Sequence, residues 1–467
     1  MDDGSRMTVD RTARWVLTTR DAAWQEQDAP ELGPLRSMPS LTVQLDRPQQ
    51  TIEGFGASFN ELGWTSLGVL DEADRDGVLR ELFAPGVGAN LSLCRMPVGA
   101  NDFSRDWYSY DEVDGDLALE HFSIATDLET LVPFIRAAQR HRPDLRLWAS
   151  PWSPPSWMKT NRHYACAVPV AGFQDVDNGL RPDQVIAEGT DGFVLDDDHL
   201  AAYAAYFGRF VDAYAELGIR IGMVMPQNEF NSPQVFPSCP WTPAGLLRML
   251  EHLVPEMRQR DVEVFLGTLE RADDGLARPV LDHPEVGPAL AGVGTQWAGK
   301  GAAPFLHHDY PHLRLYQTEQ ECGDGRNDWR YARYAWTQLR HYVSSGASAY
   351  MYWNMSLLEG GVSRWGWAQN SFVTVDAGTR SFRWNHEYHL LKHVSHFVEV
   401  GARVIPTLSV NGYEQQLAFQ NPDGTVVLVV HNDSAEEQAV QVLLGDRVLG
   451  AALPADSFST FTVPPAG

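Results

Sequence analysis

"GMVMPQNEF", residues 222–230, is an apolar run that breaks off into Pro226, Gln227, Asn228 and Glu229. A strand buried on both faces reads as continuous apolar sequence, as this one does. A polar stop alone would be met as well by Ser or Gly. Ending on a carboxylate with an amide just before it is a different statement, and its meaning depends on how the other strands of the chain end.

Seven further runs have strand character: "TIEGFGASF" (51–59), "NLSLCRMPVG" (90–99), "LRLWASP" (145–151), "VEVFLGTLE" (262–270), "GVGTQWA" (292–298), "LRLYQTE" (313–319) and "SAYMYWNMS" (348–356). Most alternate with helical patterns. "DEADRDGVLRELF" (71–83) opens acidic, as a helix N-terminus favours. "DLETLVPFIRAAQRH" (127–141) and "HLAAYAAYFGRFVDAYAELG" (199–218) carry apolar residues at three- and four-residue steps, the second stopping at Gly218. "TPAGLLRMLEHLVPEMRQR" (242–260) begins with Thr242 as N-cap and Pro243 at the first helical position, and "WRYARYAWTQLRHYVSSG" (329–346) ends at Gly346. Alternating strand and helix predicts a parallel sheet. Eight such units over about 300 residues fit an α/β fold of the (β/α)₈ TIM-barrel type better than an open sheet. The runner-up, a doubly wound sheet, would bring a GxGxxG loop opening a helix, and the glycines of "GFGASF" lack that spacing.

Past about residue 395 the pattern changes. "ARVIPTLSV", "EQQLAFQN", "TVVLVVHN", "QAVQVLL" and "FSTFTV" are short β runs separated by "NPDG", "NDSAEE" and "PADS". The N-terminal "ARWVLTTR" and "SLTVQLDRP" also read as strand and have no place in the barrel order. The expected organisation is therefore 1–50 joining a β-sandwich, 51–395 as the barrel, and 396–467 completing the sandwich. No internal repeat or low-complexity tract stands out.

Composition bounds the function. The 467 residues are 44% hydrophobic and 21% charged, with 15 Trp, which is a packed globular chain. The net charge of −25 argues against nucleic acid or an anionic membrane as partner and is compatible with a neutral substrate. Cys94, Cys166, Cys239 and Cys322 form no CxxC pair, so no zinc or redox signature is present. "MDDGSRMTVDRTARWVLTTRD" has no apolar leader segment, and no 18-residue apolar run suggests a span. A cytoplasmic location is the default expectation; a secreted protein whose leader had been removed would read the same. The sequence sets no oligomeric state.

In a (β/α)₈ barrel, chemistry sits at the C-terminal ends of the strands. Those ends carry Asn60 and Glu61, Asp102, Trp152, Asn228 and Glu229, Glu270, Trp297, Glu319 and Glu321, and Trp353 and Asn354. Carboxylates, amides and tryptophans dominate, and neither a metal nor a cofactor is expected. "HHD" (307–309), the one metal-like triplet, is expected in a solvated loop. Paired carboxylates ringed by aromatic faces describe glycoside hydrolysis: one protonates a poor leaving group, the other stabilises or captures the oxocarbenium-like sugar. Glu229 and Glu319 lie 90 residues apart, three strand–helix units, and so face each other across the barrel mouth. A single Glu at a strand end is often a cap or an ion-pair partner; two, one preceded by Asn228, are less easily a coincidence. Trp152 and Trp157 alone would more often be core than sugar platforms, but the three prolines of "SPWSPPSW" fix a rigid edge there. The long connection from Lys159 to about Asp198 is expected to wall one side of the site. Glu319 and Glu321 share strand parity, and Glu319 is preferred because Gly323 and Gly325 open a turn behind Glu321, which is expected to support the site from behind or to pair with a neighbour such as Arg326.

"IEGFGASF", "CRMPVGANDFSRDWYSYD", "LWASPWSPPSWMKTN", "MPQNEF" and "LYQTEQECG" resemble, in order, the signature segments of glycoside hydrolase family 30, the family of glucosylceramidase and microbial β-1,6-glucanases. The resemblance covers roughly residues 50–400 and extends to the β-sandwich. It implies a retaining β-glycosidase with Glu229 as general acid/base and Glu319 as nucleophile. It also implies that Asn228 bonds the sugar 2-hydroxyl, and that Asp102, Trp152 and Trp353 hold the innermost sugar. Three departures stand beside it. Phe230 follows "NE" where Pro is frequent. Gln296-Trp297-Ala298 stands where glucosylceramidase has His-Trp-Tyr, so the binding residues Gln296 and Trp297 are kept in the site without that Tyr. "VSRWGWAQN" is longer than its counterpart. Exo action on β-glucosides and endo-β-1,6-glucanase action both stay open for a carbohydrate substrate such as a β-glucoside or β-glucan oligosaccharide. A non-catalytic carbohydrate-binding barrel and a transglycosylase using the same carboxylates are the readings from other classes.

Overall fold

The structure, a computed structural model, describes residues 12–35, 38–170, 172, 176–409 and 414–465. The segment before Thr12, part of the stretch on which the absence of a leader is read, lies outside the described residues, as do Ala171, Phe173, Gln174 and Asp175 of the long connection and Val410 of "ARVIPTLSV".

Eight strands run Gly54–Ser58, Leu93–Pro97, Arg146–Ser150, Ile221–Val224, Glu263–Leu269, Gly292–Gln296, Arg314–Glu319 and Ala347–Leu358. Each pairs in parallel with the next in chain order, and the eighth pairs with the first, so the sheet closes on itself. The eighth strand also pairs with Ser371–Asp376, which turns back on Ser381–Trp384. All eight are buried almost throughout, which is why they read as apolar runs. Inside the barrel, Trp148, Met223, Met225, Phe265, Tyr316 and Met351 pack as one cluster, each burial stabilising the fold by roughly 1.5–3 kcal/mol.

The outer helices begin where the sequence places a cap. Asp71 accepts from the Asp74 N–H, Asp196 from the His199 N–H and Thr242 from the Gly245 N–H. The expected helix over 127–141 is instead two, Ala125–Glu129 and Leu131–His141. Pro133 has no N–H to offer the Glu129 carbonyl, so the helix restarts with the proline in its first turn. "HHD" is not loop but the end of a helix, Ala303–Asp309, with Leu306 packed inward while His308 and Asp309 stay exposed. Asp309 pairs with Arg278.

The other unit is built from both ends of the chain. One sheet has the order Arg403–Ile405, Gln416–Gln420, Val426–Asn432, Ser457–Val463, Arg14–Thr19, Gln25–Gln27. The other runs Thr407–Ser409, Leu41–Val43, Gln438–Leu444, Arg447–Leu453, Glu31–Pro34. Leu41, Val43, Leu428, Val442, Leu449 and Phe461 belong to one core cluster drawn from both sheets, which makes the unit a sandwich. The described residues of Met1–Ile52 and His389–Gly467 form this unit, and Glu53–Tyr388 the barrel; the division falls within the helix His386–Ser395 rather than after it.

His393 links strands from the two chain ends on the sheet face turned away from the sandwich core. Its Nδ1 lies 2.8 Å from Thr460 Oγ1 and its Nε2 2.7 Å from Thr18 Oγ1. Thr460 already donates its hydroxyl to the His393 carbonyl, so the ring donates from Nδ1 and accepts at Nε2, as only a neutral imidazole can. Burial pushes its pKa down to about 3, with His389, Lys392 and His396 opposing charge as well. A pKa depressed on folding means the unfolded chain binds the proton first, so stability is lost as pH falls below about 6.5. Unfolding monitored at pH 7 and pH 5 is expected to show a loss of about 2 kcal/mol from this group, absent in His393→Gln.

Among the described residues no helix is long and apolar enough to cross a membrane, and no group of His, Cys, Asp or Glu is placed to hold a metal ion. The four cysteines are buried and free.

Candidate active site

The fourth strand stops at Val224, earlier than its apolar run suggests, and Gln227, Asn228 and Glu229 lie in the turn beyond it. Glu229 sits in the left-handed region at φ 48°, an uncommon conformation for a side chain of this size. Neighbours hold it there. Its N–H donates to Thr268 Oγ1 at 2.8 Å, and the Asn228 N–H donates to the Pro151 carbonyl at 2.7 Å. Trp297, just past the sixth strand, is left-handed as well, at φ 48°. Strain of this kind persists where surrounding bonds over-determine the backbone.

Glu229 and Glu319 meet through one side chain. Gln296 Nε2 lies 3.3 Å from Glu229 Oε1 and 3.2 Å from Glu319 Oε2. Laid end to end, these contacts only just reach the spacing of about 6.5–9.5 Å that leaves room for a water between two carboxyls. Gln296 Nε2 also lies 3.2 Å from Asn228 Oδ1, so three acceptors share its two N–H bonds and draw the carboxylates together around one amide.

The two carboxylates have unlike surroundings. Glu319 accepts from Arg95 Nη1 at 2.8 Å, from Trp297 Nε1 at 3.0 Å and from Gln296. Burial raises its pKa, while Arg95, Trp297 and Gln296 all favour its charged form. Glu229 has two amides as partners, Gln296 and Gln234 at 3.3 Å each. Burial pushes its pKa well up, and the charges of Glu319 and Glu270 push further. Glu229 is thus placed to hold a proton and Glu319 to do without one, the division of labour an acid and a nucleophile need.

A cavity of about 410 Å³ opens here, lined by Asp102, Trp152, Asn228, Glu229, Trp297 and Glu319, with Ser232, Gln234, Phe236, Glu270, Arg271, Ala298, Lys300, Glu321, Trp367 and Gln369 around them. Of the residues singled out from sequence, Gln296 and Trp353 do not line it. Gln296 is fully buried behind the carboxylates and tethers both. Trp353 stacks behind Trp152 at a ring distance of 5.4 Å and supports it. Trp157 is core, its indole N–H bonded to the Asp111 carbonyl. Among its described residues the long connection supplies no lining residue; it supports the site from behind, with Glu188 accepting from Asn231 and Arg271 and the Cys166 and Ala167 N–H groups donating to the Gln234 carbonyl. Glu321 pairs with Lys300 at 2.6 Å and Tyr334 at 2.7 Å, not with Arg326, which lies against Asp324.

The functional residue missed from sequence is Arg95. It is fully buried on the second strand and donates to Glu319, to Asn228 Oδ1 at 2.7 Å and to Ser150 Oγ at 2.9 Å. Its guanidinium lies 4.4 Å from the Trp152 ring centre. The signal was an arginine inside the otherwise apolar run "SLCRMPV". Arg95, Gln296 and Trp297 between them position Glu319, which accounts for Ala298 standing where a Tyr might be looked for.

Residues 52–178 match the glycosyl hydrolase family 30 TIM-barrel domain and residues 401–461 the glycosyl hydrolase family 30 beta sandwich domain. The lysosomal acid glucosylceramidase of Mus musculus is 26% identical over 444 residues, covering 88% of this chain and 80% of that protein. The endo-1,6-beta-D-glucanase neg1 of Aspergillus fumigatus is 25% identical over 449 residues, covering 90% and 86%. Among solved structures, the endo-beta1,6-glucanase BT3312 matches with a TM-score of 0.83 at 21% identity, over 97% of this chain and 100% of that one, a likeness of fold. The chain is accordingly a glycoside hydrolase, similar to family 30 in both units.

Proposed function

We propose that the chain is a retaining β-glycosidase that cleaves β-glucosides, among them glucan-type oligosaccharides, by double displacement. The observation that carries this is the single amide of Gln296 joined to both Glu229 and Glu319, which holds the two carboxylates at or below the shortest spacing that admits an intervening water. Glu319 attacks the anomeric carbon as the glycosidic C–O bond breaks, and Glu229 gives its proton to the departing oxygen. A water then attacks the same carbon, Glu229 takes a proton from it, and the Glu319–sugar bond breaks. Two inversions return the β-configuration.

Asn228 lies beside Glu229 with its Oδ1 held by Arg95 and Gln296, which leaves its NH₂ for a sugar hydroxyl. Asp102 is buried, lines the cavity, and keeps Oδ1 without a hydrogen-bond partner among the described residues. A carboxylate oxygen left so requires hydroxyls to bond when the cavity fills. The relatives named for glucosylceramide and for 1,6-β-glucan share the barrel; the polar walls here, with Ser232, Gln234, Arg271 and Lys300, favour a sugar over an alkyl chain beyond the scissile bond.

The test is a panel of 4-nitrophenyl β-glycosides and β-1,6-linked glucose oligosaccharides, with ¹H NMR of the first product formed. Early appearance of the β-anomer is expected. Early α-anomer would overturn retention, and no cleavage of any β-glycoside would overturn the whole reading.

A further inference from the structure

Glu229 follows the fourth strand and Glu319 ends the seventh, and the strands stand around the barrel in chain order. A line between the two carboxylates therefore divides the mouth. Strands one, two, three and eight lie on one side; strands five and six lie on the other. Asp102 and Trp152 follow the second and third strands, so a sugar held by them sits on the first side with its anomeric carbon at the line. Whatever leaves must lie on the side of strands five and six.

That side is built as deliberately as the first. Glu270 directly follows the fifth strand, is 4% exposed and lines the cavity. Its Oε1 accepts from Ser232 Oγ at 2.8 Å and Arg271 Nη1 at 3.1 Å. Its Oε2 is buried with no hydrogen-bond partner among the described residues. The cavity thus holds two buried carboxylates with an unbonded oxygen, Asp102 on one side of the reacting pair and Glu270 on the other. A buried acceptor of this kind costs about 1–3 kcal/mol unless something donates to it. Trp297 adds an aromatic wall, its indole N–H fixed on Glu319. Lys300 and Arg271 are each paired with a carboxylate, so the lining is acidic overall and disfavours an anion.

We infer that Glu270, held by Ser232 and Arg271, binds hydroxyls of the leaving-group sugar, so that the chain is built to release a neutral sugar unit rather than an alkyl or anionic group. The inference rests on the β-glycosidase reading and adds the leaving-group class to it. An aryl leaving group has no hydroxyl for Glu270, and an oligosaccharide has several.

The discriminating quantity is the ratio of kcat/KM for a β-1,6-linked glucose oligosaccharide to kcat/KM for the 4-nitrophenyl glycoside of the same sugar. In Glu270→Gln this ratio is expected to fall by about 10-fold or more, since the site loses the carboxyl that bonds the leaving sugar. Ser232→Ala, a small truncation that removes a partner of Glu270, should move the ratio the same way by about 3-fold or more. A ratio unchanged in both variants, or equal losses on both substrates as misfolding would give, overturns the inference and leaves the glycosidase reading standing. Failure of the unaltered protein to cleave any β-glycoside, aryl or oligosaccharide, overturns that reading and the inference with it.

Discussion

Glu319→Ala is expected to lower kcat by about 10⁵-fold, because no covalent intermediate can form. Glu321→Ala, two residues on, should lose less than about 10-fold, since Lys300 and Tyr334 hold that carboxylate aside. Glu229→Ala separates the two half-reactions. A nitrophenolate leaves with little acid help, so the glycosyl-enzyme still forms and a burst of phenol is released. Its breakdown then slows by about 10²–10⁴-fold for want of a base. The alkaline limb of the pH profile should disappear with it, because burial and the charge of Glu319 keep Glu229 protonated well above the usual carboxylate range in the unaltered protein. Azide entering the vacated space should speed turnover and yield a β-glycosyl azide. In Glu319→Ala the same anion should give the α-azide. An exchange of those two products, or near-normal turnover in Glu319→Ala, would show that the roles are reversed or misplaced.

Why the positions of these carboxylates could be read before the structure, and others could not, follows from where each signal lies in the chain. A strand buried on both faces must be apolar, so eight apolar runs in alternation with capped helices declared a barrel. The barrel in turn told where to look, and the carboxylates stood at the expected ends. Position along a strand was less legible. Glu229 is not a continuation of its strand but part of a left-handed turn pinned by Thr268 and Pro151, contacts from two other strand ends that no local pattern reports. Lining and support were confused for the same reason. Gln296 and Trp353 carry residue types suited to a sugar, yet one lies beneath the carboxylates and the other behind Trp152. The long connection after the third strand looked like a wall, yet its described residues stand behind the lining, with Glu188 bonded to Asn231 and Arg271 and the Cys166 and Ala167 N–H groups to the Gln234 carbonyl. Arg95 was hidden by its surroundings: an apolar run with one arginine reads as a strand with a blemish until the three tryptophans and the carboxylate around it are brought together in space.

Arg95 should carry the second large effect. Its guanidinium is fully buried, bonded to Glu319 Oε2, Asn228 Oδ1, Ser150 Oγ and the Thr318 carbonyl, and ringed by Trp148, Trp152 and Trp353 at 4.4–5.6 Å. Removing one partner of a buried pair leaves the other charge uncompensated, at a cost of about 3–5 kcal/mol. Arg95→Met should therefore unfold several degrees earlier, and its activity alone would say little. Arg95→Lys is the sharper variant. It keeps a positive charge, but a compact ammonium cannot span Glu319 and Asn228 together as the planar fork does. Burial raises the pKa of Glu319, and Arg95 supplies the first opposing influence. With that influence weakened, Glu319 binds its proton up to a higher pH, and a protonated carboxyl is no nucleophile. The acidic limb of kcat/KM, which reports ionisation in the free enzyme, should move upward by about one pH unit or more. Activity well below neutral pH should fall by at least about 10-fold, while activity near the alkaline limb falls less. Loss by one constant factor across the whole profile would mean that Arg95 supports the strand ends and does not set the charge on Glu319. A limb that stays in place while Asn228→Ala alone reproduces the loss would assign the effect of Arg95 to Asn228 instead.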